Sequence, residues 1–136
     1  MKAKTLFRIT AVVFVIFAAG HTYGFLNFKP PTQEALAVRD AMDRVHFEVG
    51  GKLFSYGGFY RGFGLTATAA MLFEAFLAWH LGSMASRGAA GLKTLGWAFF
   101  AWQIPGLILS LLYFGIPPTV LSALAAALIA TATWLA

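Results

Sequence analysis

Glu74 is the residue with the clearest chemical potential in this sequence. It lies inside an apolar run at residues 60–81, where a charge costs at least about 2.5–3.5 kcal/mol on membrane-insertion scales. A residue there must face the interior of a helix bundle. At 1.5 Å per residue, Glu74 sits about 12 Å from the end of its run. Gln103 sits about 13 Å from the same end of the next, antiparallel run, so the two fall at nearly one level. In that setting a carboxyl handles a proton or anchors a ligand, or it stays protonated and hydrogen-bonds Gln103 as interhelical glue. Pro105 follows closely; it cannot donate to the Ala101 carbonyl and predicts a kink in the third run. The kink either opens a pocket beside Glu74 or serves packing alone.

A second polar group gathers near the far end of the first two runs. It comprises His21, His46, Tyr56, Tyr60 and Arg61, all expected at one membrane face. They can line an outer ligand pocket. They also suit an interface belt, with Tyr56, Phe59, Tyr60 and Phe63 as aromatic anchors and Arg61 extending to the surface. His21 and His46 are possible ligands for a metal or haem, but interface histidines are more often solvated or hydrogen-bonded, and neither a metal nor another cofactor is predicted. On a helix His46 and Glu48 point to opposite sides, and only an extended segment lets them share a face. His80, beside Trp79, reads as an interface anchor. Asp40–Arg44, Arg44–Glu48 and Arg39–Asp43 have the spacing of helix-surface ion pairs. Gly20–Gly24 and Gly58–Gly62 have the spacing that permits close helix approach.

Several chemistries are excluded. The chain has no cysteine, so it offers no disulfide, thiolate metal site, covalent c-type haem or thiol nucleophile. There is no His-Glu-x-x-His run. Gly51-Lys52 lacks the glycine of a phosphate loop, and Gly62-Phe63-Gly64 has Ala67 where a dinucleotide fingerprint needs glycine. The net charge of +5 is not a nucleic-acid footprint, because no basic face alternates with exposed aromatics.

The elements that must hold these residues follow from composition. Of 136 residues 60% are apolar and only 11% charged, too few polar groups to cover a soluble domain of this size. Apolar runs at 6–28, 60–81, 95–114 and 119–136 predict an all-α, four-transmembrane-helix bundle forming a single membrane domain. The fourth run only just reaches spanning length. The first has the basic start and small residues Ala18-Ala19-Gly20 of a cleavable signal, but its apolar character continues to Phe28 and favours a retained helix. Gly115-Ile116-Pro117-Pro118 is read as a tight break, making the last two spans antiparallel neighbours.

The long connection between the first two spans carries its own pattern. Thr32 is a good N-cap and Gly50-Gly51 a good stop. Between them Ala35, Val38, Met42, Val45 and Val49 recur at spacings of three and four. This predicts an additional extracytoplasmic amphipathic helix at 33–49, on the membrane surface or over the bundle. Lys2, Lys4, Arg8, Arg87 and Lys93 flank the spans with no acidic residue among them, which places both termini in the cytoplasm. The opposite side has as many basic residues, mixed with Glu34, Asp40, Asp43 and Glu48.

His21-Thr22-Tyr23-Gly24-Phe25, Val45-His46-Phe47 and Phe59-Tyr60-Arg61-Gly62-Phe63-Gly64-Leu65 together resemble segments of an uncharacterised family of small bacterial four-helix integral membrane proteins. The resemblance covers the first two spans and the outer loop. It implies a bacterial inner-membrane location and no particular activity.

The leading expectation is a protein that binds an apolar small molecule, of lipid or quinone type, within the bundle. Glu74, Gln103, His21, His46, Tyr56, Tyr60 and Arg61 are its candidate ligand-binding residues. One alternative is a membrane-embedded isomerase or cyclase using Glu74 or His21 as acid–base, although no complete catalytic set is visible. Another is an accessory subunit of a larger membrane complex; the partners expected are the lipid bilayer, the apolar ligand and either that complex or further copies of the chain in a homo-oligomer.

Overall fold

The computed structural model describes residues 2–136. Five helices appear among them: α1 (Lys2–Asn27), α2 (Gln33–Arg44), α3 (Tyr56–Arg87), α4 (Leu92–Tyr113) and α5 (Ile116–Trp134). A two-stranded hairpin, β1 (His46–Val49) and β2 (Lys52–Ser55), lies between α2 and α3. Helices α1, α3, α4 and α5 are long and apolar enough to cross a membrane. The chain divides into two compact units, Met1–Ala18 with Met71–Ala136, and Ala19–Ala70.

The first unit holds the buried core. Phe7, Phe14, Leu81 and Ile129 are its large fully buried apolar side chains, with alanines 11, 75, 78, 125 and 132 between them. The alanines let backbones approach, which is how helices gain packing contact when lipid removes the usual hydrophobic drive. Glycine marks two tight points. A side chain on Gly82 would meet the Lys4 carbonyl oxygen at 3.3 Å and Phe7 Cβ at 3.4 Å. One on Gly96 would run into Thr133, which is itself buried and donates to the Ile129 carbonyl at 2.8 Å.

The packing of α4 on α5 follows from these pairs. Gly96, early in α4, meets Thr133, late in α5. Ser110, late in α4, lies 3.3 Å Oγ to Oγ from Ser122, early in α5, with both residues buried. The helices are therefore antiparallel, as the short connection requires. The break falls at Phe114-Gly115, whereas Pro117 and Pro118 belong to the first turn of α5. Proline fits there because first-turn N–H groups need no helical acceptor. Helix α3 runs to Arg87 and closes with Gly88 at φ 60° and an Ala89 N–H bond to the Met84 carbonyl. This terminal motif needs a left-handed residue. Pro105 lies within α4, which is continuous through it.

The second unit corrects the expected outer helix. Helix α2 begins as predicted, with the Thr32 hydroxyl accepting from the Ala35 N–H, but it ends at Arg44, and residues 46–55 form an antiparallel hairpin pairing His46 with Ser55 and Val49 with Lys52. Gly50 and Gly51, at φ 60° and 75°, make the turn. Two successive positive φ values are what a two-residue hairpin turn demands. Residues 45–49 satisfy both a helical stripe and a strand alternation. The Gly-Gly pair, followed by Lys52-Leu53-Phe54-Ser55, decides for the strand. The Ser55 hydroxyl then accepts from the Gly58 N–H at 3.0 Å and starts α3.

Candidate functional site

Two groups of polar side chains emerge, one in each unit. In the first, Glu74 on α3 is half-buried. Its Oε1 accepts a 2.6 Å hydrogen bond from the indole N–H of Trp102 on α4. Gln103, next along α4, is 6% exposed and lies close to the same carboxyl. Its Nε2 is buried and makes no well-aligned hydrogen bond, with the Glu74 carboxyl as the acceptor within reach. Trp102 is 62% exposed, so the carboxyl sits at an open edge of the helix pair, not deep within it. Sequence reasoning missed Trp102, because a tryptophan in an apolar span reads as surface bulk. Its place beside Gln103, at the level of Glu74, was the available signal.

A second polar feature of this unit lies at Arg8. Its guanidinium carbon stacks 3.2 Å from the centre of the Trp79 ring, and Nη2 donates to the Ser83 hydroxyl at 3.0 Å. His80 stacks on Phe76, with ring centres 6.2 Å apart.

In the second unit, His21 Nε2 lies 3.1 Å from the Gly64 carbonyl oxygen. A carbonyl only accepts, so this nitrogen carries the proton. The ring also stacks on Phe25 at 5.7 Å, and Phe25 reaches Tyr60 at 5.3 Å. Gly64 makes room for the Phe25 ring, with which any side chain there would collide. The Thr22 and Thr68 hydroxyls lie 2.9 Å apart. By contrast, a side chain on Gly20, Gly24 or Gly62 would meet open space. Of the spaced glycine pairs only Gly58 has a near neighbour, the capping Ser55 hydroxyl.

Tyr56 joins a different aromatic set. Phe47 on β1 touches Phe54, Tyr56 and Phe59 at ring distances of 6.1, 4.8 and 5.7 Å. His46 Nδ1 lies 2.7 Å from the Arg44 carbonyl oxygen and therefore donates to it. Because β1 is extended, His46 and Glu48 share one face of the hairpin, the case in which they can act together. Arg61 pairs with Asp43 at 2.8 Å, both side chains about half exposed. None of the three ion pairs expected along one helix is the one that forms. Arg39 instead donates to the Phe28 carbonyl and Arg44 to that of Asp40, while Glu48 has left the helix for β1. His21 with Tyr60, Tyr56 with Phe47, and Arg61 with Asp43 thus form separate contacts. Among the described residues, no three histidine, aspartate or glutamate side chains gather as metal ligands.

Comparison of the chain with protein-family models, curated proteins and solved structures finds no match.

Proposed function

We propose that this chain is a multi-pass membrane protein that holds an apolar small molecule of lipid or quinone type, with the molecule's polar end against Glu74 and Gln103. One observation carries the reading: a half-buried carboxyl and a buried amide stand side by side within apolar, span-length helices. A ligand carbonyl would satisfy Gln103 Nε2, and a ligand hydroxyl would donate to Glu74. The exposed Trp102, Phe73 and Phe76 offer apolar surface next to these groups in the chain. The test is mass spectrometry of gently extracted protein. Wild type is expected to carry one enriched lipid or quinone species, and Gln103→Leu to lower its retention about fivefold, the worth of one hydrogen bond. A wild type carrying only bulk lipid would overturn the reading.

The same proposal includes orientation. The acid-free basic flanks at Lys2, Lys4, Arg8, Arg87 and Lys93 support cytoplasmic termini. The resemblance to small bacterial membrane proteins supports an inner-membrane location. With both termini inside, α2 and the hairpin lie on the outer side, and the apolar Val38 and the half-buried Met42 of α2 are suited to rest on the membrane surface. The absence of cysteine makes the check direct. In intact cells an impermeant maleimide should label Lys52→Cys and spare Ser86→Cys; the reverse pattern would invert the topology.

A further inference from the structure

Helix α3 outruns the apolar stretch that predicts it and ends at Arg87. That extension changes the depth of Glu74, which lies thirteen positions from Arg61 and thirteen from Arg87. At the helical rise each interval is about 20 Å. Between the two arginines Glu74 and His80 are the only ionisable side chains. The hydrocarbon core of a bilayer is about 30 Å thick, so arginines at its two borders leave Glu74 at the mid-plane. Helix α4 gives the same depth independently. It runs from Leu92 to Tyr113, and Gln103 falls halfway along it, about 15 Å from either end.

Depth restricts what can meet these two groups. A phospholipid keeps its phosphate and ester groups near the membrane surface, and only the methyl ends of its chains reach the mid-plane. Those ends offer no hydrogen bond to a carboxyl or an amide. Drawing the headgroup down would bring charge to the depth where it is most costly. A quinone ring has no charge and carries its carbonyls on a flat apolar body, so this depth admits it. The Gln103 amide nitrogen has two N–H groups, one for the Glu74 carboxyl and one for a ligand carbonyl. The Trp102 indole is exposed and bonded to Glu74, and its face suits stacking on a flat ring.

We infer that the ligand of the Glu74–Gln103 site is an uncharged quinone-type lipid whose ring lies at the bilayer mid-plane, and not a phospholipid. The inference rests on the ligand site proposed above and narrows what occupies it.

The test is native mass spectrometry of the full chain in detergent, titrated separately with a decyl-tailed benzoquinone, with decylbenzene and with phosphatidylethanolamine. The quinone should bind in preference to decylbenzene, whose ring lacks carbonyls. Gln103→Leu should weaken the quinone about fivefold, the worth of one hydrogen bond, and leave phosphatidylethanolamine binding unchanged. Lys93→Gln, ten positions from Gln103 at the membrane border, should leave quinone binding unchanged. Circular dichroism checks that each variant keeps its helices. Equal binding of quinone and decylbenzene would overturn the inference, as would Lys93→Gln matching Gln103→Leu. A phospholipid released by a folded Gln103→Leu variant would also overturn it, while leaving a ligand at the site. If neither a titrant nor a co-purified species responds to Gln103→Leu, the ligand site itself falls, and the inference with it.

Discussion

The two units have the same number of basic residues and opposite ways of accommodating them. Ala19–Ala70 mixes five basic residues with Glu34, Asp40, Asp43 and Glu48, whereas the other unit has Glu74 alone against five. Their packing differs in the same sense. Every buried core side chain belongs to the unit of Met1–Ala18 and Met71–Ala136, and in Ala19–Ala70 the only buried residue is Gly57. One unit is held by close helix packing around phenylalanine and alanine. The other is held by ring contacts, capping hydroxyls and an ion pair at its surface. Both units expose large apolar side chains, Phe54, Phe59, Tyr60 and Phe63 in the second and Phe73, Phe76, Leu111 and Leu112 in the first, but only the first also has a buried core beneath them.

Glycine substitution should break this comparison most sharply. At Gly96 a methyl group meets Thr133, which is fully buried and anchored to the Ile129 carbonyl. Thr133 cannot give way without losing that bond, so Gly96→Ala should destabilise the protein by about 1–3 kcal/mol, as overpacking does. At Gly62 the same methyl meets nothing within 4 Å, and alanine is the better helix former. Gly62→Ala should be neutral or stabilising by up to about 1 kcal/mol. Unfolding in mixed detergent micelles, followed by circular dichroism, measures both. Equal effects at the two positions would show that the units are packed alike.

That contrast also marks how far the sequence can be read. The four long helices are legible because an uninterrupted apolar run of that length fits a membrane-spanning helix and little else. Which glycines carry close contacts is not legible, because spacing shows only what a helix permits. Gly20, Gly24 and Gly62 have the motif and open surroundings, while Gly64, Gly82 and Gly96 bear the contacts. The hairpin was hidden for a related reason. Val45 and Val49 continue the stripe of α2, and the competing alternation of His46-Phe47-Glu48-Val49 prevails only once β2 is there to pair with it. Glu74 was legible from its cost in an apolar span, and Gln103 from depth along an antiparallel neighbour. The Trp102 donor depended on an indole reaching across α3 and α4, and side-chain reach is not encoded by spacing.

The ion pair of the second unit supplies the smallest expected effect and the finest test of the difference. Arg61 and Asp43 join α3 to α2 at 2.8 Å, with side chains 50% and 45% exposed. Water and salt screen such a pair, which is worth about 0–1 kcal/mol. A side chain on Gly57 would run into Asp43, so this short region is also sterically specified, and the pair orients α2 more than it stabilises the fold. Arg61→Gln should therefore lower global stability by about 0.5 kcal/mol at low salt, with the loss fading as salt rises over a few hundred millimolar. Amide hydrogen exchange should rise selectively in residues 33–55, leaving α4 and α5 protected. A comparable rise in α4 and α5 would mean that the ion pair supports the core, and the division between a packed unit and a surface-held one would have to be abandoned.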